Sequence, residues 1–571
     1  MIHLNKKYRF IVPGSIIFIA FSIRLSILPA AEKMHFNYIA DSRMYADHAL
    51  QILNGKQPEG LYHQGPLYPY FLAGICSVAG RSSMFPVLLL QMLLGLFSIF
   101  LVYMITLKIS GSWVTAAIAA LLLALYQPMI FYEEMILMES LLTFLYLILL
   151  WIIIKAEESG RKRLWFFSGV ILGIAALGRG SILLFLLFLL LFKLLQSRAL
   201  TSSKKKSLYI RLLLLISGAV LAISPLTIKN YVDTKEFAPL AANFGITFFE
   251  GNNRFAKGIY MDPPGLNIDQ DFTGQAIASF IADRPLKKSE TSSFWMHEAW
   301  NEITIKPAHF VKLLGLKLAY YWNRAEIPNA ESYDYAKNYS PFYSFPLVGF
   351  SIAGIFGLIG IAFAWKKHWK RTIVLQLFVF THMVSIIMFF ITARYRISII
   401  PVLLIFASMA ITYGFVLLRK KENKKLLAYA IIAICASFIV LFPWKALNNN
   451  KFLASTYNNL GLFYSANNNN VLARQFYEKA LCVCPTFWKT YNSLGNFYVE
   501  NGEKEKALSY YLQGLKVGLP QDSCAMIIHI SLGTFFLKNG NIDEAKMHYA
   551  LALPYAPYSL MLRQLSNELK L

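Results

Sequence analysis

The sequence predicts an all-α protein, in which a polytopic membrane bundle of about 11 transmembrane helices precedes a C-terminal helical solenoid. Hydrophobic residues make up 56% of the 571-residue chain and charged residues only 15%, against roughly a quarter in soluble proteins. Apolar runs of membrane-spanning length recur along residues 11–443. Beyond them, a Leu-Gly pair returns at the spacing of tetratricopeptide repeats.

The apolar runs define the predicted bundle. They lie near 11–30, 85–107, 113–131, 136–154, 208–226, 344–365, 372–392, 397–418 and 426–443, and two shorter runs flank Arg179. Two long polar segments between them, 31–84 and 227–343, are predicted to be the first and second external loops. We take 1–446 as the membrane domain and 452–571 as the repeat domain.

Basic residues orient this bundle. Lysine and arginine cluster at 161–163, 204–206, 366–371 and 419–425, and the N-terminus carries Lys6, Lys7 and Arg9. Because cytoplasmic loops are enriched in basic residues, these segments are predicted to be cytoplasmic, and both long loops and the repeat domain extracytoplasmic. The clusters also account for the net charge of +24 without nucleic-acid binding, since no basic face with interleaved aromatics is present. Five cysteines define neither a disulfide framework nor zinc-type spacing.

The tail contains three copies of the tetratricopeptide pattern. Leu460-Gly461 recurs as Leu494-Gly495 and as Leu532-Gly533. The aromatic, small and proline positions of the repeat return with them, as Tyr457, Tyr464, Ala473, Tyr477, Ala480 and Pro485, then Tyr491, Tyr498, Ala507, Tyr511, Gly514 and Pro520, then Phe536, Ala545, Tyr549, Ala552 and Pro557. Residues 558–571 are suited to cap the stack. An ordinary bundle of helical hairpins is the alternative.

Acidic residues gather at the predicted outer ends of helices, whereas transporters usually place ionisable residues mid-helix. In the first loop, Asp41 and Tyr45 are spaced for one face of a helix. A carboxylate there is able to accept a proton from an attacking hydroxyl, although Asp41 would serve equally as a helix cap. Glu133 lies at a predicted turn and Glu139 about one helical turn further on, where a lone carboxylate is costly unless it is used or paired. A solvated turn is the alternative.

Two further segments carry polar groups suited to binding. Asn252 and Asn253, in the second loop, offer amides to sugar hydroxyls, although a plain turn fits as well. Arg394-Tyr395-Arg396 lies at the outer mouth of a predicted span, where positive charge runs against the usual bias. The two arginines therefore indicate an anionic partner such as a lipid phosphate, or a structural pairing with Glu133 or Asp41.

In this order, these segments resemble the polyprenyl-phosphate-dependent membrane glycosyltransferases of the GT-C fold. That superfamily includes the dolichyl-phosphate-mannose protein mannosyltransferases (glycosyltransferase family 39) and the bacterial lipid A aminoarabinose transferases, and some bacterial members carry tetratricopeptide repeats after the membrane domain. The resemblance covers most of residues 1–420 and rests on Asp41, Tyr45, 66–72, Tyr132-Glu133, 139–141, 224–231, 251–253, 322–328 and 394–401. The chain departs from the family at Ser42, where many relatives have a second acidic residue, and at Gly180, where Arg-Pro is frequent.

The resemblance implies a mechanism. A sugar moves from a polyprenyl phosphate to an acceptor hydroxyl at the outer surface of a bacterial inner membrane, with inversion. Asp41 would be the general base, or would position the acceptor or a divalent metal; no other cofactor is implied. Arg394 and Arg396 would stabilise the departing phosphate, and Glu133 and Glu139 would orient the acceptor or the arginines. The further candidates for substrate binding are Tyr45, Asp47, His63, Arg179, Asn252, Asn253 and Tyr395.

Two other functions stay open from the sequence. One is an oligosaccharide ligase or polymerase that uses a lipid pyrophosphate, and the other is a non-catalytic transporter or envelope scaffold. The acceptor is a protein, a lipid or a glycan. The repeat domain is expected to bind a protein partner on its concave face or to brace the second loop.

Overall fold

The computed structural model describes residues 8–31, 40–56, 61–80, 84–261, 263, 271, 273–329, 332–345, 347–518, 523–555 and 559–569. Within these ranges the chain is almost entirely helical. An isolated bridge between Tyr126 and Val348 is the strand-like pairing found there. The predicted all-α class is confirmed.

The chain forms two compact units. Unit 1 comprises residues 1–242, 314–326 and 336–443, and unit 2 comprises 243–313, 327–335 and 444–571. Much of the predicted second loop therefore groups with the repeat region, whereas the sequence-based boundary separates the two near residue 450.

Unit 1 contains the apolar helices. Its first part forms α1 (Tyr8–Ala31), α2 (Ala40–Leu53), α3 (Leu67–Ala79), α4 (Phe85–Ser110), α5 (Trp113–Ala124), α6 (Gln127–Glu133), α7 (Glu139–Ser159), α8 (Lys162–Gly178), α9 (Ile182–Ser197) and α10 (Ser202–Thr234). After the second-loop helices α11 (Phe244–Asn252), α12 (Gln275–Ile281), α13 (Lys288–Ile305) and α14 (Pro307–Tyr321), it continues with α15 (Phe350–Lys367), α16 (Trp369–Ile387), α17 (Ala393–Ile397), α18 (Ile400–Lys420) and α19 (Asn423–Leu441).

Seven helices of the described chain are long and apolar enough to cross a membrane: α1, α4, α7, α10, α16, α18 and α19. The protein is thus an integral membrane protein. The remaining predicted spans fold as the shorter helices α5, α8, α9 and α15. The run 113–131 is divided into α5 and α6 because Pro128 cannot donate the hydrogen bond that would continue α5.

Two expectations about the loops were wrong. The helix predicted near 208–226, with the second loop opening at 227, continues through Pro225 to Thr234. Prolines are tolerated inside membrane helices, where neighbouring groups satisfy the freed carbonyl. The first loop was expected to be polar and mixed, yet it contains the apolar helix α3, which packs against α2, α4 and α8.

Glycines allow α8 and α10 to pack closely. A Cβ atom at Gly169 would lie 2.0 Å from the carbonyl oxygen of Leu215, and one at Gly218 would lie 2.2 Å from that of Phe166. Membrane helices associate through such small residues, since lipid provides no hydrophobic drive between them. This contact fixes the C-terminal end of α8, where Arg179 follows.

Unit 2 contains the repeats, as the helix pairs α20 (Asn449–Ala466) with α21 (Asn470–Val483), α22 (Trp488–Glu500) with α23 (Lys504–Val517), and α24 (Ser523–Lys538) with α25 (Ile542–Ala552), before α26 (Leu560–Leu569). Gly461 and Gly495 hold the same place in two pairs: a Cβ atom there would lie 2.4 Å from the Tyr477 ring and 2.2 Å from the Tyr511 ring. The predicted Leu-Gly and aromatic positions thus form the seam of each pair. Pro520 and Pro557 lie outside the described residues.

Candidate active site

Four charged side chains from separate parts of unit 1 meet in one buried cluster. Arg394 Nε lies 2.8 Å from Glu139 Oε1, and Arg179 Nη2 lies 2.8 Å from the same oxygen. Arg394 Nη1 pairs with Asp41 Oδ2. We call Asp41, Glu139, Arg179 and Arg394 the open cluster. Arg394 and Glu139 are almost fully buried, while the Asp41 and Arg179 side chains keep 16% and 18% of their surface exposed.

Local backbone structure places each member of the open cluster. Asp41 and Glu139 stand in the first turns of α2 and α7, where the helix dipole favours a carboxylate. Arg179 follows α8 with extended backbone (φ −142°, ψ 104°), in the break between two helices. Arg394 lies in α17, whose N-cap Thr392 accepts a hydrogen bond from the Tyr395 amide.

Several buried polar atoms beside these ion pairs have no hydrogen-bond partner among the described residues. They are Arg179 Nη1, Glu139 Oε2 and the Oε1 atom of Gln64. The Arg179 guanidinium also lies 4.5 Å from the centre of the Tyr395 ring, which fixes its plane. An unpaired guanidinium N–H suits an anion such as a phosphate, and an unpaired carboxylate or amide oxygen suits a hydroxyl.

Asp41 is held in its ionised form. Burial opposes ionisation, yet the Arg394 guanidinium, with hydrogen bonds from Arg394 and Gln64 (3.0 Å) and the nearby His63, keeps the pKa of Asp41 below its ordinary value. A carboxylate with a low pKa accepts hydrogen bonds well but is a weak proton acceptor. Asp41 is therefore better suited to orienting a hydroxyl than to storing its proton.

Two tyrosines and a glutamine fasten the first loop to the turn before Glu139. The Tyr45 hydroxyl lies 3.5 Å from Arg394 Nη2, and its ring meets the Tyr68 ring edge-on at 5.1 Å. Tyr68 donates to Gln91, whose amide donates to the carbonyls of Glu133 (2.9 Å) and Met135 (2.7 Å). Burial raises the pKa of Tyr45, so this hydroxyl stays protonated. Tyr68 lies in the segment 66–72 that carries the resemblance, whereas Gln64 and Gln91 were not among the predicted site residues.

Gly65 brings the first loop against Arg179. A Cβ atom at Gly65 would lie 2.3 Å from the Leu177 carbonyl oxygen and 2.4 Å from that of Gly178. Any side chain at position 65 would separate the loop from the end of α8. This glycine, inside the segment Gln64-Gly65-Pro66, is the sequence signal that could have linked the two.

Glu133, expected among the catalytic residues, lies in a different ion pair. Arg24 Nε lies 2.6 Å from Glu133 Oε2 and Nη2 lies 3.1 Å from Oε1, while Arg24 Nη1 donates to the Ala124 carbonyl at 3.2 Å. Gly95 makes space for the Glu133 carboxylate, because a Cβ atom at position 95 would lie 2.2 Å from Glu133 Oε1. With both oxygens bonded inside unit 1, Glu133 is placed to stabilise the fold. The sequence signal that could have predicted this pair is Arg24, a lone arginine in the first apolar run.

Arg396 was expected to bind phosphate, but its guanidinium donates hydrogen bonds mainly to backbone carbonyls. Its Nη1 donates to the carbonyls of Tyr321 (3.0 Å) and Asn323 (2.6 Å), and its Nη2 donates to Ala325 O (3.0 Å) and Glu326 Oε2 (3.2 Å). The guanidinium also lies 3.6 Å from the centre of the Phe350 ring. These bonds leave Arg396 unsuited to an incoming anion.

Asp47, Asn252 and Asn253 have other partners. Asp47 is exposed on α2 and lies 3.7 Å from Arg43. Asn252 and Asn253 belong to unit 2 and donate to carbonyls of their own helix, at Phe248 (2.8 Å) and at Phe249 (2.9 Å). In the part of the chain that the structure describes, no group of three or more His, Cys, Asp or Glu side chains is arranged to hold a metal ion.

Comparison with known proteins agrees with the resemblance. Residues 63–225 match the family model of dolichyl-phosphate-mannose-protein mannosyltransferase, a range that includes Glu139 and Arg179. Residues 453–484 and 489–517 match tetratricopeptide repeat models. A search of curated protein sequences finds no match.

Solved structures give weaker likenesses. ArnT from Cupriavidus metallidurans bound to undecaprenyl phosphate is 15% identical, with 95% of this chain and 89% of that chain covered and a TM-score of 0.43. Its apo form is 14% identical, with 90% and 80% covered and a TM-score of 0.41. The Archaeoglobus fulgidus oligosaccharyltransferase, tethered with an acceptor peptide, is 13% identical, with 83% and 59% covered and a TM-score of 0.43. At TM-scores below 0.5, these likenesses carry no residue roles over to this chain.

The sequence matches thus give each part of the molecule its likeness: residues 63–225, in the membrane domain, resemble the dolichyl-phosphate-mannose-protein mannosyltransferases, and residues 453–484 and 489–517 match tetratricopeptide repeats.

Proposed function

We propose that this protein is a membrane glycosyltransferase that moves a sugar from a polyprenyl-phosphate donor to an acceptor hydroxyl at the extracytoplasmic face, with inversion. The observation that carries the proposal is the open cluster, in which two arginines and two carboxylates meet while the buried atoms Arg179 Nη1 and Glu139 Oε2 lack partners among the described residues. Native structures rarely bury unpaired polar atoms without a use for them.

The charges of the open cluster suit a phosphate that gains charge during the reaction. Two guanidinium groups and two carboxylates balance, so a donor phosphodiester would add one negative charge. When the bond between the anomeric carbon and the phosphate oxygen breaks, that oxygen keeps the electron pair and the lipid phosphate gains a second negative charge. Arg179 Nη1 is the preplaced donor for this charge, and such donors are worth about 10²–10³ in rate.

The acceptor hydroxyl would approach Asp41. Hydrogen bonding to Asp41 orients its oxygen for attack on the anomeric carbon, where the new C–O bond forms. A phosphate monoester, whose second pKa is about 6, is a stronger base than Asp41, so the hydroxyl proton passes on to the departing phosphate or to water. Arg394 binds both Asp41, which orients the acceptor, and Glu139, which pairs with the phosphate-binding Arg179. Arg394 therefore fixes the acceptor-binding and phosphate-binding groups relative to each other.

The test is transfer of radiolabelled sugar from a panel of polyprenyl-phosphate donors to membrane acceptors. We expect Asp41→Asn to lose transfer by at least about tenfold, because the amide donates where the hydroxyl needs an acceptor. Asp47→Asn is the matched control, since it removes an exposed carboxylate from the same helix. Full transfer by Asp41→Asn, or equal loss in both variants, would reject this site.

A further inference from the structure

Helix α7 carries a row of three polar side chains on the side that meets Arg179. Glu139, Thr143 and Tyr146 follow one another at steps of four and three residues. They therefore project within about 60° of one another, and Thr143 lies about 6 Å along the helix axis from Glu139. Arg179 bonds Glu139 at 2.8 Å, and its guanidinium interacts electrostatically with Tyr146. Because Arg179 acts on both ends of this row, Thr143 lies beside it.

The packing of α8 on α7 agrees with this placement. The two helices lie against each other, and a Cβ atom at Gly178 would lie 2.9 Å from Leu142 Cδ2. Gly178 directly precedes Arg179 in the chain, and Leu142 directly precedes Thr143. The end of α8 thus reaches α7 beside Thr143.

The Thr143 hydroxyl is fully buried and departs from the pattern of other buried hydroxyls in the bundle. Serine and threonine in helices commonly donate to a carbonyl three or four positions earlier. Hydroxyls of the membrane bundle that do so over 2.7–2.9 Å are those of Ser98, Thr106, Ser168, Thr381 and Ser408. Thr143 Oγ1 has no partner anywhere in the chain that the structure describes. Because an unused buried hydroxyl costs free energy, it indicates a partner that the protein binds.

Aromatic rings close the deeper end of the row. Tyr146 meets Phe378 of α16 edge-on, with ring centres 5.5 Å apart, and Phe378 meets Phe185 of α9 at 5.4 Å. A ligand that enters past Glu139 can therefore reach Thr143 and is stopped by these rings one turn further on.

The unpaired atoms beside Thr143 indicate the chemistry of that ligand. Arg179 Nη1 is a buried donor that no described residue pairs with, and the Thr143 hydroxyl is able to donate as well. Two donors, one of them cationic, suit neighbouring oxygens of a phosphoryl group, which are strong acceptors.

We propose that Thr143 is a phosphate-binding residue, whose hydroxyl donates to the phosphoryl group of the polyprenyl-phosphate donor beside the oxygen that Arg179 Nη1 binds. The identity of the lipid rests on the function proposed above, whereas the hydrogen bond requires only a phosphoryl group. Two donors from separate elements, α7 and the break between α8 and α9, fix how the phosphoryl group is turned. They thereby fix where the attached sugar lies for attack.

Binding of undecaprenyl phosphate and of undecaprenol to the full chain in a lipid nanodisc tests this. Thr143→Val keeps the shape of the side chain and removes only the hydroxyl. We expect its affinity for undecaprenyl phosphate to fall about tenfold, as for one hydrogen bond to a charged group, and its affinity for undecaprenol to stay unchanged. Its unfolding midpoint should not fall, because the lost hydroxyl had no partner within the protein. Thr143→Ser, which keeps the hydroxyl, restores the affinity.

Thr106→Val is the matched control, since it removes a fully buried hydroxyl that donates to Val102 O at 2.7 Å. This variant should bind undecaprenyl phosphate like wild type. A second criterion comes from the Arg179→Gln background. If both groups bind one phosphoryl group, Thr143→Val should weaken binding less in that background than in wild type.

Unchanged affinity of Thr143→Val for undecaprenyl phosphate, or an equal loss for undecaprenol or in Thr106→Val, overturns the proposal. A loss confined to inorganic phosphate, added as a competitor, would assign the hydroxyl to free phosphate and overturn it as well. Should Thr143→Val fail to fold, Thr143→Ala is judged by the same criteria. The predicted losses together with no sugar transfer by wild type from any donor would reject the proposed function and support the phosphate contact.

Discussion

Two of the arginine–carboxylate clusters in unit 1, the pair of Arg24 with Glu133 and the open cluster, differ in whether every polar atom has a partner. In the closed pair, Arg24 bonds both oxygens of Glu133, and its remaining nitrogen bonds a carbonyl. In the open cluster, Arg179 Nη1 and Glu139 Oε2 are buried without partners. In both, arginines and carboxylates balance in charge, but Asp41 and Arg179 also keep part of their surface exposed. Unused hydrogen-bonding capacity and partial exposure therefore distinguish a group that is available to a substrate from one that stabilises the fold.

The largest predicted effect is a loss of stability when the closed pair of Arg24 and Glu133 is broken. Glu133→Gln leaves the Arg24 charge buried without its counter-ion, and removing one partner of a buried pair costs about 3–5 kcal/mol. We expect a lower unfolding midpoint in detergent and less folded protein. The double variant Arg24→Met/Glu133→Leu should recover most of the loss. A wild-type midpoint for Glu133→Gln would refute the structural role.

In the open cluster we expect the reverse pattern, in which a substitution lowers the rate of transfer more than the stability. Glu139→Gln removes the charge that orients Arg179 and Arg394, and we expect kcat for sugar transfer to fall about 10²–10³-fold. Its unfolding midpoint should change less than that of Glu133→Gln, because Asp41 still pairs with Arg394. Comparing kcat and midpoint for the two variants is the measurement. Loss of stability with unchanged kcat in Glu139→Gln would remove the distinction between the clusters.

Glu134 extends the comparison to a buried carboxyl that forms none of the ion pairs between described residues. Burial raises its pKa to about 8, with Tyr343 partly opposing. In the unfolded chain its pKa is near 4.5, so between pH 4.5 and 8 the folded state keeps a proton that the unfolded state has lost. Stability should therefore fall as pH rises through that window, by up to about 1.4 kcal/mol per pH unit.

Thermal unfolding of wild type and Glu134→Gln from pH 5 to pH 9 checks this expectation. The variant should lose that part of the pH dependence and be the more stable of the two at pH 8. Parallel pH profiles for both proteins would show that Glu134 is ionised in the folded state.

The third repeat offers the smallest predicted effect. His548 and His529 face each other with their Nδ1 atoms 2.9 Å apart, where the first repeat has Phe476 and Tyr457. Burial, then the neighbouring His529, lowers the pKa of His548 to about 4. Its unfolded pKa is near 6.5, so its contribution to stability is present above that pH and is lost as pH falls toward 4.

Hydrogen exchange in α24 and α25 from pH 7 to pH 4, corrected for intrinsic rates, measures this. Exchange should accelerate there on acidification while α20 and α21 stay protected, and His548→Phe should reduce the difference. An equal acceleration of exchange in all the repeats on acidification would show that His548 is not its cause.

The sequence predicted the fold class and the repeats because both follow from local periodicity: apolar runs of spanning length, and aromatic and small residues that return with the Leu-Gly pairs. It also identified each member of the open cluster. A pairing of the two arginines with Asp41 was one of the alternatives drawn from the sequence. The sequence could not select it, because Arg394 and Asp41 are 353 residues apart and only the packed helices bring them together. Glu133 and Glu139 look alike in the sequence, and their difference depends on Arg24 lying opposite one of them.

The most direct test of the account is the affinity of the purified protein for undecaprenyl phosphate and for undecaprenol, the same lipid without the phosphate, measured for wild type and Arg179→Gln. The account predicts that wild type binds the phosphate form at least about tenfold more tightly, the value of one charged hydrogen bond, and that Arg179→Gln binds both lipids alike. Equal affinity of wild type for the two lipids, or an unchanged preference in Arg179→Gln, would contradict it.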